Sequence, residues 1–409
     1  MPGANEADGA VMAGGWLARF RQRAPVLFLT LAFWLAAEVL AALLLPVVVP
    51  RHVALSWYLG AEARQVTRDF LDDVPAFLTY DPLTGWRNRP GCRQGNWRID
   101  SLGSRSTHAL GWRKTRPRRL LFLGSSLVNG GFDTPPEETI PALCEDSLTE
   151  AGNFATMLYS LDQIVLAYTG GLHRFGADVV VVGLPMPPGQ MLTGRYVPFS
   201  QRTQVRMPYF KPRFVEEGDS LRLVPVPSLS RWRRMFTSTP ALDSLGCDEG
   251  YLGEFESYRR FGLMPLSAGL RQVVKRAHNL SRLLRGDEEA LPLALRLMRE
   301  FVAAAGRCQA RVIFVALPQR PQAFPSGVRR WLPDHYRGTV AMLRQRGFVV
   351  LDGRAPLRAS GLPPSRLFTA DGKHLTPAAN RVLAAGLREM MGPVETRSSA
   401  GSPRVALSR

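Results

Sequence analysis

Two short stretches of this chain supply the side-chain types that a nucleophilic serine needs. An apolar run ends at Gly124 and is followed by Ser125 and Ser126. Near the other end of the chain, Asp371 precedes His374 by three residues. A serine hydroxyl becomes a nucleophile when a base takes its proton and a third group orients that base. Ser126, His374 and Asp371 match these roles in the chain order Ser, Asp, His.

The elements around these residues are predicted to hold them at one edge of a sheet. A strand at Arg119–Gly124 leads into the serines. Thr376 and Pro377 predict a helix start just after His374, because threonine caps free amides and proline suits the first turn. Open α/β sheets place their ligands at the carboxyl ends of strands. We therefore expect both stretches at that edge.

The chain from about residue 118 alternates short apolar runs with amphipathic stretches. The runs are bounded by glycine, proline or polar residues and predict strands at Arg119–Gly124, Asn153–Thr156, Asp178–Gly183, Arg311–Leu317 and Phe348–Leu351. Helical patterns fall at 136–150, 160–174, 267–285, 288–306, 334–346 and 377–391. Strands that alternate with helices imply an α/β fold with a doubly wound, mainly parallel five-stranded sheet.

The predicted segments are a cytoplasmic N-terminal segment (1–23), a transmembrane anchor (24–49), a lead-in (50–117), an α/β domain (118–393) with an insertion at 184–260, and a disordered tail (394–409). The insertion is rich in proline, arginine and aromatic residues, and it either caps the strand ends or decorates the surface. Its aromatic residues between Arg195 and Lys211 either stack on sugar rings or anchor the insertion.

Residues 24–49 are apolar apart from Thr30 and Glu38. This stretch is long enough to span a bilayer. Three arginines precede this stretch and Arg51 stands nearly alone behind it. The positive-inside rule then places the N-terminus in the cytoplasm and the large domain outside. A cleaved signal peptide is the alternative, but its apolar region is usually about 15 residues or fewer. Glu38 either is protonated, faces a partner helix, or is a tolerated exception.

The formal charge of +18 comes almost entirely from arginine, since the chain has four lysines. No zinc-finger or RNP-type pattern accompanies the charge, so nucleic-acid binding is not expected. Two explanations of the positive charge remain open: codon usage that favours arginine, and attraction to anionic lipid or acidic polysaccharide. The four cysteines form no CxxC and no histidine lies at zinc spacing, so no metal site is predicted. Their pairing among Cys92, Cys144, Cys247 and Cys308 stays open.

The chain resembles the SGNH (GDSL-type) hydrolases, especially membrane-anchored bacterial members. The family's first block, Gly-Asp-Ser, corresponds to Gly124-Ser125-Ser126, and its last block, Asp-x-x-His, is intact at Asp371–His374. Further similar positions are Asn129, Asn153 with Tyr159–Gln163, and the stretches Tyr80–Gly91, Ile99–Arg105 and Met207–Phe210. The resemblance spans about residues 79–391. It implies the flavodoxin-like fold of that family, with Gly124, Ser125, Asn129 and Asn153 supporting the motifs.

The same resemblance shows departures at the oxyanion hole. The family's second-block glycine, whose amide helps to bind the oxyanion, aligns with Leu158. Its third-block asparagine has no counterpart in Leu184–Gln190. Losing one oxyanion donor typically costs about 100- to 1,000-fold in rate. The backbone amides of Ser126 and Leu158 remain as candidate donors, and a side-chain amide of Gln163 or Gln190 is a candidate replacement.

Two functions follow from these expectations. The first is a membrane-anchored serine esterase or acyltransferase without a cofactor, which acts on O-acyl groups, such as O-acetyl, of an extracytoplasmic glycan. It would be a single-pass protein of the bacterial inner membrane, with its large domain in the periplasm or outside the cell. The second is an inactive polysaccharide-binding or assembly subunit with the same fold. The intact Ser/Asp/His set favours the enzyme, and the missing asparagine favours the binder.

Overall fold

The structure of the chain is a computed structural model, and it describes residues 6–189, 191–200, 207–245, 255–256, 258–262, 264, 266–269, 273 and 290–394. Its strands are β1 (Leu78–Asp81), β2 (Gly85–Asn88), β3 (Arg93–Gln94), β4 (Trp97–Arg98), β5 (Arg118–Leu123), β6 (Thr149–Asn153), β7 (Val179–Pro185), β8 (Arg213–Glu217), β9 (Ser220–Val224), β10 (Arg311–Leu317) and β11 (Val350–Asp352). Five of these form one parallel sheet in the order β11-β10-β7-β5-β6. Numbered along the chain, the order is 2-1-3-4-5, which is flavodoxin-like. The predicted fold class is confirmed.

The α-helices of the described residues belong to the N-terminal region, the insertion and the two faces of the sheet. They are α1 (Glu6–Val48), α2 (Arg51–Leu71), α3 (Ser126–Asn129), α4 (Ile140–Leu143), α5 (Leu161–Thr169), α6 (Val197–Ser200), α7 (Leu229–Met235), α8 (Thr239–Asp243), α9 (Leu291–Arg307), α10 (Arg320–Ala323), α11 (His335–Gln345), α12 (Arg354–Ala359), α13 (Pro364–Leu367) and α14 (Pro377–Met391). Short 3₁₀ turns lie at Pro136–Glu138, Leu172–Phe175 and Gly327–Trp331.

The sheet is buried on both faces because successive side chains of a strand point to opposite sides. In β5, Leu121 and Leu123 pack in one core with α5, α9 and α11. Leu120 and Phe122 pack in a second core with α4, α12, α13 and α14. This two-sided burial leaves the carboxyl ends of the strands as the edge where polar side chains can meet a ligand.

The lead-in and the insertion share an aromatic core. The ring of Tyr196 stacks on that of Phe210 at 4.5 Å, and Phe210 lies 4.9 Å from Trp232 of α7. Trp232 in turn contacts Phe70 of α2 at 5.2 Å. All four side chains are buried. These aromatic residues therefore anchor the insertion, which resolves that open alternative, and their burial leaves no exposed ring face for a sugar.

The structure corrects several element predictions. The second sheet strand is β6 at Thr149–Asn153 and ends where Asn153–Thr156 was expected to begin. The helix predicted at 136–150 is reduced to a 3₁₀ turn and the four-residue α4. The lead-in contains the 21-residue α2, for which no helix was predicted. Most of the predicted helix at 267–285, and the tail from residue 395, lie outside the described residues.

The N-terminal helix α1 contains one stretch that is long and apolar enough to cross a membrane. This stretch, Arg23–Val48, has a mean hydropathy of 2.3, and 6% of its apolar window is buried. A core helix of a globular protein would be mostly covered, so this helix is not part of the domain core. A membrane span and a signal sequence share these properties.

Candidate active site

The nucleophile candidate lies in a tight turn between β5 and α3. Gly124 has φ 153°, and a Cβ there would lie 2.8 Å from Val128 Cγ2 and 3.1 Å from the Gly183 carbonyl oxygen. Only glycine fits this position without displacing its neighbours. Ser125 caps α3 in extended backbone with no side-chain capping bond. Ser126 is the first residue of α3 and is half-buried.

A buried arginine holds the loop that follows Ser126. Arg105 Nη1 donates to the Asn129 carbonyl at 2.8 Å and to Asn129 Oδ1 at 3.0 Å, and Nη2 donates to the Thr134 carbonyl at 2.6 Å. Asn129 Nδ2 donates to the Ala155 carbonyl at 2.7 Å. Burial lowers the pKa of Arg105 to about 10, so it stays cationic at neutral pH. The resemblance covered Arg105 without giving it a role, and its contacts with main-chain oxygens left no signal in the sequence.

The base candidate lies in a closed loop ahead of α14. The backbone N–H of Thr369 donates to the His374 carbonyl at 3.0 Å, and Phe368 forms a β-bridge with Leu375. Gly372, at φ 67°, supplies the left-handed turn inside the loop. Thr376 caps α14 by accepting a hydrogen bond from the Ala379 N–H at 3.4 Å. The predicted helix start at Thr376 and Pro377 is confirmed.

The structure brings Ser126, His374 and Asp371 into one hydrogen-bonded chain. Ser126 Oγ lies 3.1 Å from His374 Nε2, and His374 Nδ1 lies 2.8 Å from Asp371 Oδ2. In this arrangement Nδ1–H donates to the carboxylate and leaves Nε2 free to accept the serine proton. The His374 and Asp371 side chains are 36% and 44% exposed, so this part of the site is open to solvent.

Asp371 is held in its ionised form. Its burial raises the pKa, but hydrogen bonds from Thr369 Oγ1, the Lys373 N–H and His374 lower it by more. The pKa of Asp371 therefore lies well below its ordinary range. Thr369 Oγ1 donates at 2.6 Å and the Lys373 N–H at 2.8 Å. A carboxylate that stays charged is able to orient an imidazole and to stabilise the imidazolium.

The stretch predicted as the second block contains a strained residue. Leu158 has φ 62°, a left-handed backbone conformation that costs a non-glycine residue about 1–2 kcal/mol. The flanking backbone is fixed, since Trp86 Nε1 donates to the Met157 carbonyl at 2.8 Å and the Tyr159 hydroxyl donates to the Trp86 carbonyl at 2.6 Å. Leu158 thus has a backbone conformation that glycine adopts without this penalty. Within the described part of the chain, its N–H donates to no other group.

The structure argues against Gln163 as an oxyanion donor. Gln163 Oε1 accepts from the Ser160 N–H at 3.1 Å in a capping box at the start of α5, and Nε2 donates to the Thr84 carbonyl at 2.7 Å. The amide is fully buried and both its ends are engaged. This corrects the prediction that Gln163 is a replacement donor. Gln190 lies outside the described residues.

The other positions considered in the sequence are Asn153, the prolines near the end of β7, the cysteines and the metal-ligating side chains. The Asn153 N–H donates to Ser104 Oγ at 2.9 Å, while its buried side-chain amide has no hydrogen-bond partner among the described groups. Pro185 at the end of β7 and Pro187 and Pro188 just beyond it carry no N–H, so backbone donors are scarce there. Cys92, Cys144 and Cys308 are free thiols, and Cys247 lies outside the described residues. No cluster of three metal-ligating side chains occurs in the described ranges.

Comparison with protein-family models finds no match for this chain. Comparison with curated proteins finds none either. Solved structures with a similar course of the chain include a member of the lipolytic G-D-S-L family from Veillonella parvula, with 10% identity, TM-score 0.32, and coverage of 66% of this chain and 94% of that one. A GDSL-like lipase from Bacteroides thetaiotaomicron has 10% identity, TM-score 0.34, and coverage of 69% and 91%.

A catalytic mutant of an acetylxylan esterase from Geobacillus stearothermophilus has 12% identity, TM-score 0.34, and coverage of 68% of this chain and 96% of that one. Because these TM-scores lie below 0.5, the fold assignment rests on the strand order of the sheet. The site assignment rests on the distances between its own atoms.

Proposed function

We propose that this chain is a membrane-anchored serine esterase or acyltransferase of the SGNH type, which acts on O-acyl groups of a glycan outside the cytoplasm. The observation that carries the proposal is the chain from Ser126 Oγ through His374 to Asp371, with separations of 3.1 and 2.8 Å. The open site suits an ester on a large carrier.

The reaction would begin when Ser126 Oγ attacks the acyl carbonyl carbon and His374 Nε2 takes the hydroxyl proton. The backbone N–H groups of Ser126 and Leu158 would stabilise the oxyanion. His374 would then protonate the leaving sugar oxygen, which leaves the acyl group on Ser126. Attack by water completes hydrolysis, and attack by another sugar hydroxyl completes transfer. Asp371 stabilises the imidazolium in both steps.

The second candidate is an inactive glycan-binding or assembly subunit with the same fold. The proline-rich segment after β7 favours it, because that segment replaces an asparagine donor with residues that lack N–H groups. The strained backbone of Leu158 favours the enzyme, since strain of this kind persists where the site needs it. Covalent reactivity of Ser126 separates the two functions.

The test uses the full-length protein in detergent with a fluorophosphonate probe and p-nitrophenyl acetate. We expect covalent labelling and ester hydrolysis, both abolished in Ser126→Ala and retained in the matched control Ser125→Ala. Asp371→Asn should lower kcat by about 10⁴-fold, because the wrong histidine tautomer is then favoured. Absence of labelling in a folded sample would support the binding subunit, and activity that survives Ser126→Ala would remove Ser126 as the nucleophile.

A further inference from the structure

Glu38 is an acidic residue in the middle of the apolar stretch of α1, and another part of the chain covers it. Its side chain is 4% exposed, whereas its neighbours Val39 and Leu40 are 60% and 57% exposed. Glu38 Oε1 accepts from the Leu266 N–H at 3.2 Å, and Oε2 accepts from Ser267 Oγ at 2.6 Å. A carboxylate at this depth of a bilayer is expensive unless it is paired or hydrogen-bonded. Residues 266–267 therefore satisfy it.

The part of the chain just before residue 266 contacts α1 at a second position along the helix axis. Arg259 donates to the Pro46 carbonyl near the end of α1 and pairs with Glu256 at 3.1 Å. From Pro46 to Glu38 the helix axis covers about 12 Å at 1.5 Å per residue. The backbone is helical at 258–261 and again at 266–269. The described residues between 255 and 269, here called segment 255–269, thus run antiparallel to the last part of α1, from Pro46 toward Glu38.

We infer that the described residues of segment 255–269 enter the outer leaflet of the bilayer beside α1, so that the α/β domain is held to the membrane by two elements. This inference rests on the membrane anchoring proposed above. Glu38 lies about 15 Å from Val48 along the helix, which is about half of a hydrocarbon core of roughly 30 Å. Whatever binds Glu38 there must itself lie at that depth.

The polarity of the side chains in the segment matches the depth in the bilayer at which each would lie. Phe261 and Leu266 are 38% and 39% exposed, and both are apolar. The Ser267 hydroxyl is used toward α1. Charged groups gather at the height where α1 ends, since Arg51 pairs with Glu256 at 3.1 Å and Arg259 lies beside them. Apolar side chains below and arginines above match hydrocarbon and phosphate headgroups respectively.

The test measures depth by spin labelling of the full-length protein in vesicles of phosphatidylethanolamine and phosphatidylglycerol. Nitroxides are placed at Leu266→Cys and Phe261→Cys in a background of Cys92→Ser, Cys247→Ser and Cys308→Ser. Phe33→Cys, on the exposed face of α1, reports the anchor, and Trp331→Cys, which is 87% exposed in the α/β domain, reports water. Collision rates with oxygen and with a water-soluble nickel complex give each label's depth.

We expect the labels at 261 and 266 to favour oxygen over nickel, with the label at 266 the deeper of the two. Leu266 contacts Glu38, whereas Arg259, close to Phe261 in the chain, contacts Pro46 nearer the end of α1. Nickel accessibility at both positions equal to that at 331, with the label at 33 in lipid, would overturn the inference and leave the anchor standing. A label at 33 that also behaves as water-exposed would overturn the membrane anchoring itself.

Discussion

At the scale of single residues, the site combines an ordinary triad with an unusual second block. Asp371 is kept ionised because its hydrogen bonds lower the pKa by more than burial raises it. His374 links Asp371 to Ser126. Leu158, by contrast, holds a left-handed backbone that glycine would adopt without cost. The surrounding bonds from Trp86 and Tyr159 maintain that conformation. The surroundings of Leu158 therefore hold its backbone in a strained conformation.

The strain at Leu158 gives a prediction that compares two variants, both of which remove the side chain beyond Cβ. Leu158→Gly should be more stable than Leu158→Ala by about 1–2 kcal/mol, because alanine retains the left-handed penalty and glycine does not. The free energy of unfolding is measured by urea titration of the full-length protein in detergent. The control is the pair Met157→Gly and Met157→Ala, where alanine should be the more stable. Equal stability of the two Leu158 variants would mean that the backbone there is not strained.

Sequence motifs predicted which residues meet in the triad, because strand ends and helix starts fix their positions in an α/β sheet. They failed for Gln163, although Ser160 three residues earlier forms a capping-box signature that predicts a structural amide. They also gave no role to Arg105, whose partners are mostly backbone carbonyls. Any residue has a carbonyl, so such contacts leave no pattern in the chain.

At the scale of elements, strong periodicity and caps gave accurate bounds. The structure has β10 at Arg311–Leu317 and α14 at Pro377–Met391, as the sequence predicts. The β6 strand was misplaced because the helix predicted at 136–150 ran through Glu150. In the structure Glu150 is buried and pairs with Arg119 at 2.7 Å, with 2% and 0% of the two side chains exposed. Hydrophobic patterns miss a strand whose charges are paired inside.

The insertion is joined to the start of α5 by a buried ion pair, and breaking it should be costly. Lys211 Nζ contacts Asp162 Oδ2, and neither side chain is exposed. Lys211→Met should lower the free energy of unfolding by about 3–5 kcal/mol, because it leaves a buried carboxylate without its cation. Adding Asp162→Asn should recover part of that loss, since the amide keeps the acceptor oxygen used by the Gln163 N–H.

The matched control for this element is Lys114→Met, which removes the cation of the exposed pair with Asp178, whose side chains are 32% and 46% exposed. An exposed pair contributes about 0–1 kcal/mol, so this variant should unfold almost as the parent does. The measurement is urea unfolding of all four proteins. A double variant less stable than Lys211→Met alone would contradict the assignment of the cost to the unpaired charge.

At the scale of the whole molecule, the charges on either side of the apolar stretch of α1 predict which side of the membrane the site would face. Arg19, Arg21 and Arg23 precede the apolar stretch and Arg51 follows it, so the large domain is expected outside the cytoplasm. The thiols of the domain offer a probe. Cys308 is exposed, whereas Cys144 is buried and its pKa is raised to about 12 by that burial. A thiol with so high a pKa is almost unreactive near neutral pH.

In a background of Cys92→Ser and Cys247→Ser, a membrane-impermeant maleimide should label intact spheroplasts at Cys308, because the thiol is exposed and the domain lies outside. Adding Cys308→Ser should remove the label, since Cys144 stays protonated and covered. Ala10→Cys in the Cys308→Ser variant should react only after lysis, which reports the cytoplasmic N-terminus. Labelling is read by the mass shift of the protein on a gel. Modification of Cys308 only after lysis would reverse the orientation and place the triad in the cytoplasm, where a glycan of the cell exterior is out of reach.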